Sequence, residues 1–343
     1  MKRFVKIYTY WLLGMLLFTG CDDYLKEDSG DLLIPGKVDE FLPMLYKEGF
    51  PQNFNEEVAW LYLMTDDVEM GQLELDPDDE SYETRDKNSL DALSAGEGEE
   101  PYKWEREIKS YADNFWERRY GNILACNLVI DALPEMKYVE ADSGVYNFLA
   151  AQAYALRAYY YWCLVNSYAL PWSKENLDKP GVIIRTEPQI DISARGRSSI
   201  RDVYDLINGD IEEAEKYIKV ATFDGNIHRL SEPAILLLAS RIALFQENWD
   251  EVIRTGELFL AQNSVILNLN DQDTTLFGTE KGLNNKIFTM MDGTINKEVV
   301  FTFGTSSYTP YDYLSTSGTF YGLGFRPSHS TDESLIRSYE EGD

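Results

Sequence analysis

The side chains that could do chemistry are unevenly supplied. The 343 residues include two histidines, His228 and His329, three cysteines, and 59 aspartates and glutamates. Two lone histidines, with no H-E-x-x-H helix, leave a metal-activated water or a Ser-His-Asp triad without its parts. No glycine-rich phosphate loop and no dinucleotide fingerprint occurs. Two carboxylates can hydrolyse a glycosidic bond, yet no pair here stands in a setting that distinguishes it. The pair Asp78-Asp79 lies in an acidic stretch without the spacing of a calcium loop. The expectation is a protein with no enzymatic activity, no cofactor and no metal site. Cys126 and Cys163 lie inside apolar helical patterns without C-x-x-C spacing, so they read as buried free thiols.

Aromatic residues are the better-supplied resource, with 23 Tyr and 7 Trp. A carbohydrate site needs exposed ring faces for sugar C–H groups and polar groups for hydroxyls. Aromatics at helical spacing are assigned to packing, so the candidates come from loops. They are Trp172, Tyr308, Tyr311, Tyr313 and Tyr321, with Tyr82 as a further one. A net charge of −28 and a pI near 4.4 argue against nucleic acid and anionic lipid surfaces as partners. Fewer than 20 residues of continuous apolar character occur after residue 20, which is too short for a membrane-spanning helix.

The beginning of the chain reads as a secretion signal over residues 1–20. Lys2, Arg3 and Lys6 precede the apolar run Ile7 to Phe18, and Leu17-Phe18-Thr19-Gly20-Cys21 has the form of a lipobox. Cleavage there exposes Cys21 for lipid attachment. Residues 21–36 then read as an acidic tether.

The elements that must position any site are mostly helices. Val38, Phe41, Leu42, Leu45 and Tyr46 share one face of a first short helix. Residues 56–64 suit either helix or strand, and residues 71–100 read as a long acidic surface loop. From Trp104 a helical period runs through Tyr111, Phe115, Ile123, Cys126, Ile130 and Leu133, with one gap near Arg119, and Pro134 closes it. The stretch from Ala151 to Leu170 is apolar on all sides, as a helix buried among other helices is. Its one charge, Arg157, requires a carboxylate or several carbonyls.

Later segments carry firmer boundary signals. Ser199-Ile200-Arg201-Asp202 is a capping box ahead of Ile200, Val203, Ile207, Ile211, Ala214 and Ile218, while Glu212, Glu213 and Glu215 lie off that face. Ser231-Glu232-Pro233 opens another helix. Gln246-Glu247-Asn248 makes a turn before Trp249 begins the next, giving an antiparallel hairpin like a tetratricopeptide unit. Residues 298–303 read as a strand and 304–328 as a loop. Ser330-Thr331-Asp332-Glu333 is a second capping box. The fold class expected is predominantly all-α, with tetratricopeptide-like hairpins, long irregular loops and minor β structure.

In order along the chain, several segments resemble the SusD/RagB family of surface nutrient-binding lipoproteins. They are the lipobox with Cys21-Asp22-Asp23-Tyr24-Leu25, then Trp116-Glu117-Arg118-Arg119-Tyr120-Gly121-Asn122-Ile123 and Cys126-Asn127. Leu156-Arg157-Ala158-Tyr159-Tyr160-Tyr161-Trp162 with Leu170-Pro171 follows, then Arg197-Ser198-Ser199, Val203-Tyr204-Asp205-Leu206-Ile207 and Asp210-Ile211-Glu212-Glu213-Ala214. Asn296-Lys297-Glu298-Val299-Val300-Phe301 and Arg326-Pro327-Ser328 come last. The resemblance implies a SusD-like helical domain over 37–343, whose C-terminal part is expected to lie beyond this chain. It implies a lipid-anchored protein on the outer-membrane surface that binds an oligosaccharide or another nutrient. Its partner would be a SusC-like TonB-dependent transporter. Two rival readings remain at this stage, a helical scaffold that binds only protein and an all-helical glycoside hydrolase.

Overall fold

The structure is a computed structural model that describes residues 37–51, 64, 68–70, 103–105, 115–189, 193–266, 297–303 and 325–327. The chain divides into two units, Met1–Gly36 and Lys37–Asp343, and every described residue belongs to the second. The signal segment, tether and Cys21 therefore lie outside the described residues, as do the stretches 71–100 and 304–324 and the capping box at 330–333. Of 56–64, only Met64 is described, in a turn.

The first helix, α1 (Val38–Met44), continues into a wider π turn over Leu45–Gly49. Pro43 stands inside α1, where it removes a backbone donor. Val38, Phe41 and Leu45 point into the core as their spacing predicts, and Leu42 and Tyr46 pack at its margin. Trp104, where the helical period starts in the sequence, sits in a turn with φ 53° and is exposed. The described helix α2 runs from Phe115 to Ala132 and passes into a 3-10 turn containing Pro134. The gap in its apolar pattern is filled by Arg119, which is fully buried with its guanidinium carbon 4.5 Å from the Phe115 ring centroid and 5.3 Å from that of Tyr160.

The central helix α3 (Ser143–Tyr168) is longer than the apolar stretch alone suggested. Leu149, Ala151, Ala155, Ala158 and Leu164 are fully buried on different sides of it. The small alanines let neighbours approach closely: α2 packs on one side and α4 (Ile200–Ile218) on another. Arg157 has found its carboxylate. Its Nε and Nη2 donate to the two oxygens of Asp210 on α4, at 2.8 and 2.7 Å, and Nη1 donates to Asn127 Oδ1 on α2 at 2.9 Å. Burial pushes the Asp210 carboxyl upward and the Arg157 donors pull it back down; we take the bidentate geometry to hold it ionised. Cys126, beside this group, is a free thiol, as is Cys163.

The Ser199 capping box forms as expected: Asp202 N donates to Ser199 Oγ at 3.1 Å, and Ser199 N donates to Asp202 Oδ2 at 3.2 Å. Glu215 departs from its assignment to the solvent side. It is buried and accepts from Arg254 at 2.7 and 3.1 Å, because α6 covers that flank of α4. The hairpin of α5 (Glu232–Phe245) and α6 (Trp249–Gln262) turns through Gln246-Glu247-Asn248, with Glu247 in the left-handed region at φ 55°. Ser231 and Asn248 cap the two helices, each accepting an amide from three residues ahead.

Two expectations for the late segments need correcting. Residues 299–303 form no strand: Thr302 N donates to the Ile227 carbonyl at 2.9 Å, but the loop beside it offers no ladder to pair with. Phe325–Pro327, placed in a loop by its sequence, is a short strand β2 antiparallel to β1 (Val68–Met70), with Glu69 opposite Arg326. Its partner is some 250 residues earlier, beyond the reach of a local pattern.

The buried Arg157–Asp210 pair sets the first prediction. Asp210→Ala leaves a buried guanidinium without its carboxylate and is expected to lower unfolding free energy by about 3–5 kcal/mol. Lys216→Ala, at the exposed Lys216–Glu213 pair, is expected to leave the urea midpoint almost unmoved. Urea unfolding followed by circular dichroism measures both.

Candidate functional site

The end of α3 is where aromatic side chains reach the surface together. Leu170 precedes Pro171, which disfavours helical backbone at that position, and α3 stops at Tyr168 with Ala169 already extended. Tyr168 packs edge-on against Trp116 at 5.0 Å between centroids and lies 6.2 Å from Phe115. Trp116 in turn lies 5.0 Å from Tyr120, its neighbour one turn along α2. Arg197 closes the group. Its guanidinium carbon sits 5.6 Å from the Trp116 ring centroid, and Nη1 donates to the Tyr168 carbonyl at 2.7 Å and to the Gly181 carbonyl at 3.2 Å. A cation there also answers the negative end of the α3 dipole.

Trp172 stands just past the same helix end. It is half-buried against the core, edge-on to Tyr204 at 4.7 Å. Tyr204 OH donates to Asn166 Oδ1 at 3.4 Å, and Asn166 is exposed. Near the helix end Trp116, Tyr120 and Tyr168 group around the Arg197 guanidinium, and Trp172 packs with Tyr204 beside Asn166; all four rings lean on the core and keep part of their surface exposed. Rings offer faces to C–H groups, and Arg197 and Asn166 offer partners to hydroxyls. Nothing in the set is a nucleophile paired with a base.

The chain then returns across α2 and α3 as a strap, described over residues 180–189 and 193–199. Its two ends pair with each other: Gly181 N donates to the Ser198 carbonyl at 2.7 Å and Ser198 N to the Val182 carbonyl at 2.9 Å. A Cβ on Gly181 would lie 3.2 Å from Ile200 Cα, so this close approach favours glycine. The middle of the strap is held from below. Tyr120 OH donates to the Ile183 carbonyl and Tyr161 OH to the Arg185 carbonyl, both at 2.7 Å. Arg185 N donates back to the Tyr161 oxygen at 2.8 Å. Asn127 Nδ2 reaches the carbonyls of Arg185 and Glu187 at 3.0 and 3.2 Å. Burial pushes the Tyr120 phenol up to about 12 and pushes Tyr161 up as well.

Of the residues proposed from sequence, the structure places Trp172 at this helix end. Tyr308, Tyr311, Tyr313, Tyr321 and Tyr82, and the lipidation residue Cys21, lie outside the described residues. Trp116, Tyr120 and Tyr168 pack against the core, as helical aromatics are expected to, and each also keeps part of its surface exposed. The available signal was Trp116 itself, one turn from Tyr120 with Glu117 and Arg118 between them, at the edge of a helix. Among the described residues no three His, Cys, Asp or Glu side chains gather as a metal ion requires, and no helix is long and apolar enough to cross a membrane.

These observations define a helical-hairpin scaffold with an aromatic surface at the end of its central helix. The family model described as starch-binding and associating with the outer membrane matches residues 44–244. The chain belongs to this SusD-like family, as the ordered segments implied. A SusD-like protein of Formosa agariphila is 28% identical over 158 residues, which is 45% of this chain and 27% of that protein. The solved SusD-like carbohydrate-binding protein of Bacteroides vulgatus superposes with a TM-score of 0.58 at 20% identity, over 85% of this chain and 57% of that one. A SusD superfamily protein of Bacteroides thetaiotaomicron gives 0.52 at 16% identity, over 68% and 48%. The chain therefore spans about a quarter of the matched Formosa protein and a little over half of the Bacteroides vulgatus structure. The family is described by what it binds and not by a reaction.

The raised phenols yield a pH prediction. Tyr46 and Tyr120 are both pushed up to about 12 by burial, against 10 when free. The folded state keeps these protons longer than the unfolded state does. Their contribution is fully present below pH 10 and is lost as pH rises towards 12. Urea midpoints measured from pH 9 to 12 are expected to fall over that window, and less steeply in Tyr120→Phe.

Proposed function

We propose that this protein binds an oligosaccharide on the aromatic surface at the end of α3. In this proposal it is anchored through a lipid on Cys21 at the outer-membrane surface and passes its ligand to a SusC-like TonB-dependent transporter. The observation that supports the reading is a pair of aromatic sets near the end of α3, Trp116 and Tyr168 with Arg197 and Trp172 and Tyr204 with Asn166, in a chain of the SusD-like family. Ring faces supply affinity that tolerates different sugars, and a few polar groups orient the chain of hydroxyls. Tyr308, Tyr311, Tyr313, Tyr321 and Tyr82 are proposed as further contacts on sequence alone. The net charge of −28 fits a neutral sugar better than an anionic one.

The starch-binding description of the family makes α-glucans the first ligands to try. Isothermal titration with soluble α-glucans and β-glucans is expected to detect binding, and Trp116→Ala and Trp172→Ala are each expected to weaken it at least about fivefold, close to 1 kcal/mol. Retention of wild-type affinity in both variants would remove this surface as the site. Hydrolysis of the titrated glycan would instead favour the glycosidase reading. For the partner, purification of the lipidated protein from outer membranes is expected to bring a TonB-dependent barrel with it in near-equal amount.

A further inference from the structure

We infer that Asn127 is a positioning residue for the aromatic surface, coupling the buried Arg157–Asp210 pair to the strap that holds Arg197 in place. The inference rests on the proposed glycan site but is argued from contacts outside it. Asn127 is almost fully buried in α2. Its Oδ1 accepts from Arg157 Nη1 at 2.9 Å, and its Nδ2 donates to the carbonyls of Arg185 and Glu187 at 3.0 and 3.2 Å. The Arg157 donor fixes which way the amide points, since only the oxygen can face a guanidinium. Arg157 is itself fixed by two bonds to Asp210. Three helices thereby converge on one amide, and that amide faces the strap.

The strap in turn reaches the surface group by two routes. One is Tyr120, whose ring lies tilted beside Trp116 while its hydroxyl donates to the Ile183 carbonyl. The other route is the pairing of residues 181–182 with 198, adjacent to Arg197, whose side chain reaches Tyr168 and Gly181 and overlies Trp116. Loss of the Asn127 amide would remove its hold on the Arg185 and Glu187 carbonyls and loosen the strap there, with Tyr161 still bonded to Arg185. The effect on the surface group would be loss of pre-organisation rather than loss of a contact.

Amide hydrogen exchange on the full chain tests this directly. In Asn127→Ala, exchange is expected to quicken about tenfold or more at residues 183–187 and at 197–199, with the α5–α6 hairpin unchanged. Affinity for a soluble α-glucan is expected to fall about three- to tenfold, with no change in which glycans bind. Tyr161→Phe removes a second strap contact without touching the amide and is expected to give the same regional pattern in case Asn127→Ala fails to fold. Unchanged exchange at 183–187 would overturn the inference. So would quickening confined to 183–187, or spread evenly over the domain, which would mark Asn127 as ordinary core. If the wild-type protein binds none of the glycans tried, the site proposal fails, and exchange at 197–199 still decides the role of Asn127.

Discussion

The packing of α2, α3 and α4 depends on one buried charge, Arg157, being satisfied. Arg157 sits in the long central helix, whose residues are buried on nearly every side, and a guanidinium there is costly unless its donors are used. The bidentate bond to Asp210 and the third bond to Asn127 use them in a planar fork that lysine could not supply. Such a pair adds little net stability compared with a well-packed apolar replacement. What it does supply is a link between α2, α3 and α4, since Asn127, Arg157 and Asp210 come one from each helix. The alanines of α3 permit the close approach.

That arrangement carries outward. With α2 fixed against α3, Tyr120, Asn127 and Tyr161 line up under the strap and take its carbonyls. With the strap fixed, Arg197 lies across the end of α3 and beside Trp116. An irregular segment of this length would otherwise carry unsatisfied backbone groups and high local mobility. Here side chains from α2 and α3 take the carbonyls of Ile183, Arg185 and Glu187 in place of a ladder. A binding surface built on such a segment loses little conformational freedom when a ligand arrives.

Much of this was legible in the sequence where the signal was local. The Ser199 capping box, the Ser231 and Gln246-Glu247-Asn248 boundaries, and the all-round apolar character of α3 each correspond to a feature of the fold. That Arg157 needs a carboxylate was also clear, but not which of 59 acids would meet it, because Asp210 is far away in sequence. Glu215 was placed off the apolar face of its helix, and its burial follows from Arg254, a partner far away in sequence. A charged residue on the edge of an apolar face looks solvated until another helix covers it, as α6 covers Glu215. Trp116 packs against the core as helical aromatics do, and the partial exposure it keeps near the start of α2 cannot be read from its spacing. Residues 299–303 have strand composition, yet composition cannot provide the neighbouring strand that pairing requires.

The most direct test of the account is a crystal structure of the protein with a bound oligosaccharide. The account predicts sugar rings lying over Trp116 and Trp172 at the end of α3, with a hydroxyl within hydrogen-bonding distance of the Arg197 guanidinium and the strap unmoved. A sugar bound elsewhere, with those two indoles untouched and the strap displaced, would contradict it.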